Sequence, residues 1–384
     1  MISLTTSEKK LLVSYLLQFT VFSISIILYF GLGRKFFHFG DFAFLARNIQ
    51  WISFVTGIFI GIYFQKIKPA IFFQITGFLL YIISGKFLFI SGSFLIFAGI
   101  AWTLTLITIR YLSIIREDSS IYLKLYLLIL IPSVVYYFIS EFSILYLRST
   151  RIYLILISFL LLYLIYLNLE TIPEASLKKR QESITNIKSY PNITLSFLLF
   201  LVFAWWVSLN FFSPIGQVNY YIWELPSIFK SNLFAVIFGL IILIFFRPNF
   251  KQLIHLTYFG LFLTFIMYAL LVLNNIELSF FWVISFLTLR NISYFSLIIL
   301  LLLTMKKSLN NLYSYSLLFV IGLMMLFYKD FLIIPFINKI VQQNPLLLLF
   351  FIGLNIFYFL SLNNMHKKKI KNYRKKRGGY RRRY

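Results

Sequence analysis

Uninterrupted apolar runs of about twenty residues recur along most of this chain, and a run of that length dictates its own surroundings. A helix of about 20 apolar residues matches the ~30 Å hydrocarbon thickness of a bilayer. Breaks between the runs place candidate spans at 11–32, 43–65, 69–85, 90–114, 121–140 and 151–168, then at 193–212, 231–246, 252–273, 279–304, 312–328 and 345–363. The third and fourth are separated only by the short break Lys86–Gly92. The first run, Leu11–Leu32, exceeds a signal-peptide core and no small-x-small site follows it, so it reads as a retained span. Of the 384 residues, 60% are hydrophobic and 12% charged, against about 25% charged in soluble domains. This excludes a soluble enzyme, a disordered chain and a large extramembrane domain. Continuous rather than alternating apolar character argues against a β-barrel. The expected fold class is all-α, a polytopic helical membrane protein of about twelve spans.

Charge orders these spans. The polar stretch 169–191 divides the chain into a first half, 1–168, and a second half, 192–364, each with six spans. The tail, 365–384, carries 11 basic residues and no acid. With both termini inside, the cytosolic segments hold 24 Lys and Arg and the external loops 9, the sense that the positive-inside rule requires. The expectation is a multi-pass protein of the cell (cytoplasmic) membrane, with cytosolic termini and a basic tail against anionic lipid headgroups. Each basic residue near the surface adds about 1 kcal/mol to that contact. Tyr373, Tyr380 and Tyr384 alternate with Arg in the tail and leave open a second reading, stacking on RNA bases, which the sequence favours less. Cysteine is absent, which excludes disulfides, thiolate metal sites and cysteine nucleophiles.

Two six-span halves joined by a basic linker suggest a solute pathway between the halves. The layout resembles the major facilitator superfamily over nearly the whole chain. That family carries Gly-x-x-x-Asp-Arg-x-Gly-Arg-Arg between its second and third spans. The equivalent stretch runs from Gly61 to Pro69, with Gln65 where the family has Asp, basic Lys66 and Lys68, and no second glycine. The stretch from Gly239 to Arg247 and Pro248 is the second-half counterpart, and Glu170 to Glu174 is similar to the Pro-Glu-Thr-like ending of the sixth span. The resemblance therefore rests on layout. It implies a secondary transporter working by alternating access on a small polar or anionic solute.

Ionisable and polar groups inside apolar spans are the first candidates for a solute site, because they cost several kcal/mol unless paired or wetted. Arg290 stands in the middle of its span and shares a helical face with Phe286, Ser293 and Tyr294. Its planar fork suits a carboxylate or phosphate, or else carbonyls of a neighbouring helix. Arg47, Gln50, Phe54, Gly57 and Gly61 form a second stripe, whose glycine pair admits a close helix partner. Arg47 can equally snorkel to the interface beside Asp41. In the first span Ser14, Gln18 and Ser25 lie roughly along one side, and Gln18 can bond solute or another helix. Gln74, Trp102, Asn210 and Asn355 carry the same two readings. The candidate solute-binding set is Arg290, Arg47, Gln50, Gln18 and Tyr294.

None of the 11 acids falls at a span centre, so no proton-coupling carboxylate is visible. No H-E-x-x-H, G-x-S-x-G or P-loop occurs, and the three histidines show no metal-ligand spacing. Neither a metal, a cofactor nor an enzymatic activity is expected. Two other classes stay open: a membrane enzyme acting on lipid-linked substrates, and an anchor whose basic tail recruits lipid or RNA.

Overall fold

The computed structural model describes residues 4–36, 40–83, 85–115, 121–143 and 151–172, and beyond them scattered positions between 237 and 360, chiefly 252–260 and 295–303. All regular structure among the described residues is helical. The first half forms α1 (Thr6–Phe36), α2 (Gly40–Phe64), α3 (Ile67–Ile83), α4 (Lys86–Ile114), α5 (Ile121–Ser143) and α6 (Arg151–Glu170). The helices of α1, α4 and α6 are long and apolar enough to cross a membrane.

Local chemistry sets several of the ends. Before α1, Thr5 and Glu8 form a reciprocal cap: the Thr5 amide donates to Glu8 Oε2 at 2.7 Å, and the Glu8 amide donates to Thr5 Oγ1 at 3.2 Å. Between α2 and α3 the chain reverses at Gln65, whose φ of 34° lies in the left-handed region. Pro69 then sits in the first turn of α3, where a missing amide hydrogen costs nothing. Gly85, in an extended conformation, precedes α4. The division between the third and fourth spans thus falls ahead of Lys86, and the expected break Lys86–Gly92 lies inside α4. Glycine there marks close packing, not a chain break.

Side-chain contacts show that α1 and α3 run one way and α4 and α6 the other. At the end where α1 begins, Lys10 Nζ donates to Thr171 Oγ1 (3.0 Å), Lys68 pairs with Glu170 (3.4 Å), and Arg110 donates to the Leu169 carbonyl (3.1 Å). At the opposite end, Tyr81 donates to the Leu28 carbonyl and Arg151 to the Gly31 carbonyl (3.4 Å).

Helix α4 is the axis of the bundle. Every residue from Ile96 to Ile109 is buried, as expected of a helix that is apolar on all sides and surrounded by others. It packs on α2, α3 and α1, while α1 also packs on α5 and α6. Glycines set the separations. A Cβ on Gly57 would overlap the Ala98 carbonyl, and one on Gly61 would lie 2.9 Å from Trp102 Cδ1. On the other side of α4, a Cβ on Gly77 would lie 2.7 Å from the Gly92 carbonyl. The glycine pair of α2 therefore makes the close helix approach that its spacing predicted. Phe22, Phe54 and Phe97 close the α1–α2–α4 junction, with ring centroids 5.5–6.3 Å apart, each such pair contributing about 0.5–1.5 kcal/mol beyond its area.

The outer faces are apolar. On α6, Ile152, Leu156, Leu160 and Tyr163 are each more than half exposed, as are Phe72 and Ile83 on α3. In water such a face would exceed the few hundred Å2 that soluble monomers tolerate; against lipid tails it costs nothing. The architecture is compatible with a membrane protein.

If the α2–α4 spacing depends on these glycines, Gly57→Ala should lower stability by about 1–3 kcal/mol, measured by thermal unfolding in detergent. Gly353→Ala is the control: a Cβ there would meet nothing within 4 Å among the described residues, and its melting should be unchanged or slightly raised.

Candidate functional site: a buried polar tie

Gln18, Gln74 and Thr103 meet inside the bundle, each with no measurable solvent exposure. Gln18 Nε2 donates to Gln74 Oε1 at 2.9 Å, and Gln74 Nε2 donates to Thr103 Oγ1 at 3.0 Å. One line of hydrogen bonds thus runs across α1, α3 and α4. Gln74 and Thr103 stand near the middle of their helices, α3 and α4. Gly99 makes the line possible: a Cβ there would come within 2.5 Å of Gln74 Cγ, so only a glycine lets the Gln74 side chain lie along α4 and reach Thr103 one turn on.

The serines of α1 behave differently. Ser14, Ser23 and Ser25 each donate to the carbonyl four residues back in their own helix, a local bond that satisfies the hydroxyl without a neighbour. Of the side expected to hold Ser14, Gln18 and Ser25, only Gln18 reaches another helix through its side chain in these contacts. Its Oε1 accepts no hydrogen bond among the described residues. Among the described residues Gln50, 4% exposed on α2, has no acceptor for Nε2, and the Trp102 indole N–H, between Phe64 and Phe73, has none either. An unmet buried polar group costs about 1–3 kcal/mol. The middle of the bundle therefore holds spare hydrogen-bonding capacity without charge.

Of the candidate set, Gln18 and Gln50 are the members with described side chains, and Gln18 meets Gln74, a residue outside that set. Arg47 lies on α2, one turn before Gln50; its side chain is outside the described residues, as are Arg290 and Tyr294. Gln50 shares its stripe with Phe54, Gly57 and Gly61, and that stripe packs on α4.

A second buried polar pair was not singled out from the sequence. Lys124 Nζ lies 3.5 Å from Glu8 Oε1, with the two side chains 2% and 0% exposed. Tyr111 donates to the Lys124 carbonyl at 3.0 Å. Two signals point to this pair. Thr5 and Glu8 have capping-box spacing just ahead of an apolar run, and Lys124 stands inside another run, where an ionisable residue calls for a partner.

No protein-family model matches this chain, and a search of curated proteins returns no match.

The tie should behave as one unit. In a double-mutant cycle of Gln18→Leu and Gln74→Leu, unfolding in detergent should reveal a coupling of about 0.6 kcal/mol, with about 1.7 kcal/mol as the ceiling for such bonds. Strict additivity would mean that the two amides do not hold each other.

Proposed function

We propose that this protein is a secondary transporter of the cell membrane that moves a small polar or anionic solute by alternating access. The observation that carries the reading is the uncharged polar line Gln18–Gln74–Thr103, buried at mid-depth in the bundle, with no partner for Gln18 Oε1 among the described residues. Apolar bundles gain little from such bonds as glue, about 0.6 kcal/mol on average. An unmet acceptor beside the line makes packing alone an incomplete account of it. A polar solute at the midplane supplies the missing partner.

In this reading the whole chain is two six-helix halves with cytosolic termini, a layout similar to the major facilitator superfamily. In the second half Phe295 to Leu303 are all buried, as the central stretch of α4 is. Arg290 and Tyr294 belong to that second helix by sequence, and Arg47, Gln50 and Gln18 come from the first half. Arg290 would attract an anion while the amides hold its neutral polar groups. The basic tail rests on anionic headgroups and serves topology.

The test is uptake by proteoliposomes of the full chain against a panel of small carboxylates, phosphates and neutral polar solutes. Arg290→Leu and Gln18→Leu should each reduce uptake of the solute found by at least about tenfold, equivalent to 1.4 kcal/mol, while elution and melting stay those of folded protein. Deleting 365–384 should leave uptake intact. Uptake that survives Arg290→Leu removes the anion site, and a function lost only with the tail favours the anchor.

A further inference from the structure

Helix α5 contains Pro132. A proline inside a helix has no amide hydrogen for the carbonyl four residues back, and its ring crowds that carbonyl aside. Here that carbonyl belongs to Leu128, and it accepts a hydrogen bond from the Tyr15 hydroxyl of α1 at 3.2 Å. Helix α1 thus supplies what the proline took away. Two turns from Pro132 toward the start of α5, Lys124 meets Glu8, again on α1. The segment 121–131 is therefore held to α1 at two levels by polar contacts and leads directly into a proline inside the helix.

Glu8 Oε1 faces Lys124 Nζ at 3.5 Å and makes no hydrogen bond among the described residues. Glu8 Oε2 is held independently by the Thr5 amide, which keeps the carboxylate in place if the lysine leaves. The opposite side of the same segment touches the second half of the chain. The Tyr126 hydroxyl lies against Gly239, and its ring meets Phe295 edge-on at 6.4 Å. One short helical segment thus touches α1 on one side and residues 239 and 295 on the other.

We propose that residues 121–131 form an arm hinged at Pro132, latched to α1 by Glu8–Lys124 and Tyr15–Leu128, whose release carries movement between α1 and the second half of the chain. This goes beyond the transporter reading and does not rest on it, since the arm's motion is measurable without any solute.

The chain has no cysteine, so two introduced thiols report without background. Spin labels at Lys9→Cys, exposed at the start of α1, and Leu123→Cys, half-buried on the arm, give an α1–arm distance by pulsed electron resonance on the full chain in lipid. Glu8→Gln with Lys124→Met removes both charges together, leaves no unpaired buried ion and keeps a glutamine able to cap. In that variant a longer-distance population should rise by roughly tenfold or more over the parent. Adding Pro132→Ala should diminish it again. Tyr15→Phe, which deletes one hydroxyl, should raise the same population by a smaller factor and stands in if the charge-free pair does not fold. An unchanged distance in the folded unlatched variants, or a longer population indifferent to Pro132→Ala, overturns the arm.

Discussion

The close approach of α2 and α3 to opposite sides of α4 is the contact on which the rest of the bundle depends. Gly57 and Gly61 admit α4 on one side, and Gly77, facing Gly92, admits it on the other. With no side chain at these points the helices meet through backbone and small groups. Dispersion then accumulates over many atoms at short range, which is the main attraction left to helices in lipid, where apolar burial offers little. Everything polar in the middle follows from that spacing. Gln74 reaches Thr103 because Gly99 leaves it room, and Gln18 reaches Gln74 because α1 packs on α4 at the Phe22–Phe54–Phe97 junction.

The polar groups are layered along α1. Glu8 meets Lys124 near the first end, Tyr15 meets Leu128 about two turns on, Gln18 meets Gln74 less than a turn later, and Leu28 and Gly31 receive Tyr81 and Arg151 toward the other end. Between them lie apolar and aromatic contacts. Such layering fixes the rotation of α1 about its axis, because each layer needs a different side chain at its own height. The exposed pair Lys68–Glu170 is of another kind: it lies open to solvent and adds little beyond orientation.

Much of the first half was legible in the sequence because long apolar runs leave few alternatives. The runs 11–32, 121–140 and 151–168 fall within the corresponding helices, and 43–65 passes the end of α2 by one residue. Hydropathy blurs where polar residues belong to the helix itself. Lys86 and Gly92 look like a break, whereas Lys86 opens α4 and Gly92 faces Gly77. The glycine seam of α2 was legible from spacing alone. Gln18 and Gln50 were legible as buried polar positions; that Gln18 meets Gln74 was not, because a periodic pattern names a face and not the residue opposite. The Glu8–Lys124 pair escaped for the same reason, joining residues 116 positions apart across two runs. The placement of Arg290 and Tyr294 was read from sequence and lies outside the described residues.

What joins packing to function in this account is water: a pathway for a polar solute must at some stage wet the line at Gln18, whereas mere interhelical glue stays dry. The cysteine-free chain makes this directly measurable. With Gln18→Cys in proteoliposomes, labelling by a membrane-impermeant thiol reagent, scored by mass against Lys9→Cys as the exposed reference, asks whether bulk water reaches the tie. The account predicts labelling at position 18 that is slower than at position 9 yet complete, and that is slowed further by a transported solute. A thiol at 18 that stays unlabelled from both sides, in protein whose position 9 labels fully, would contradict it.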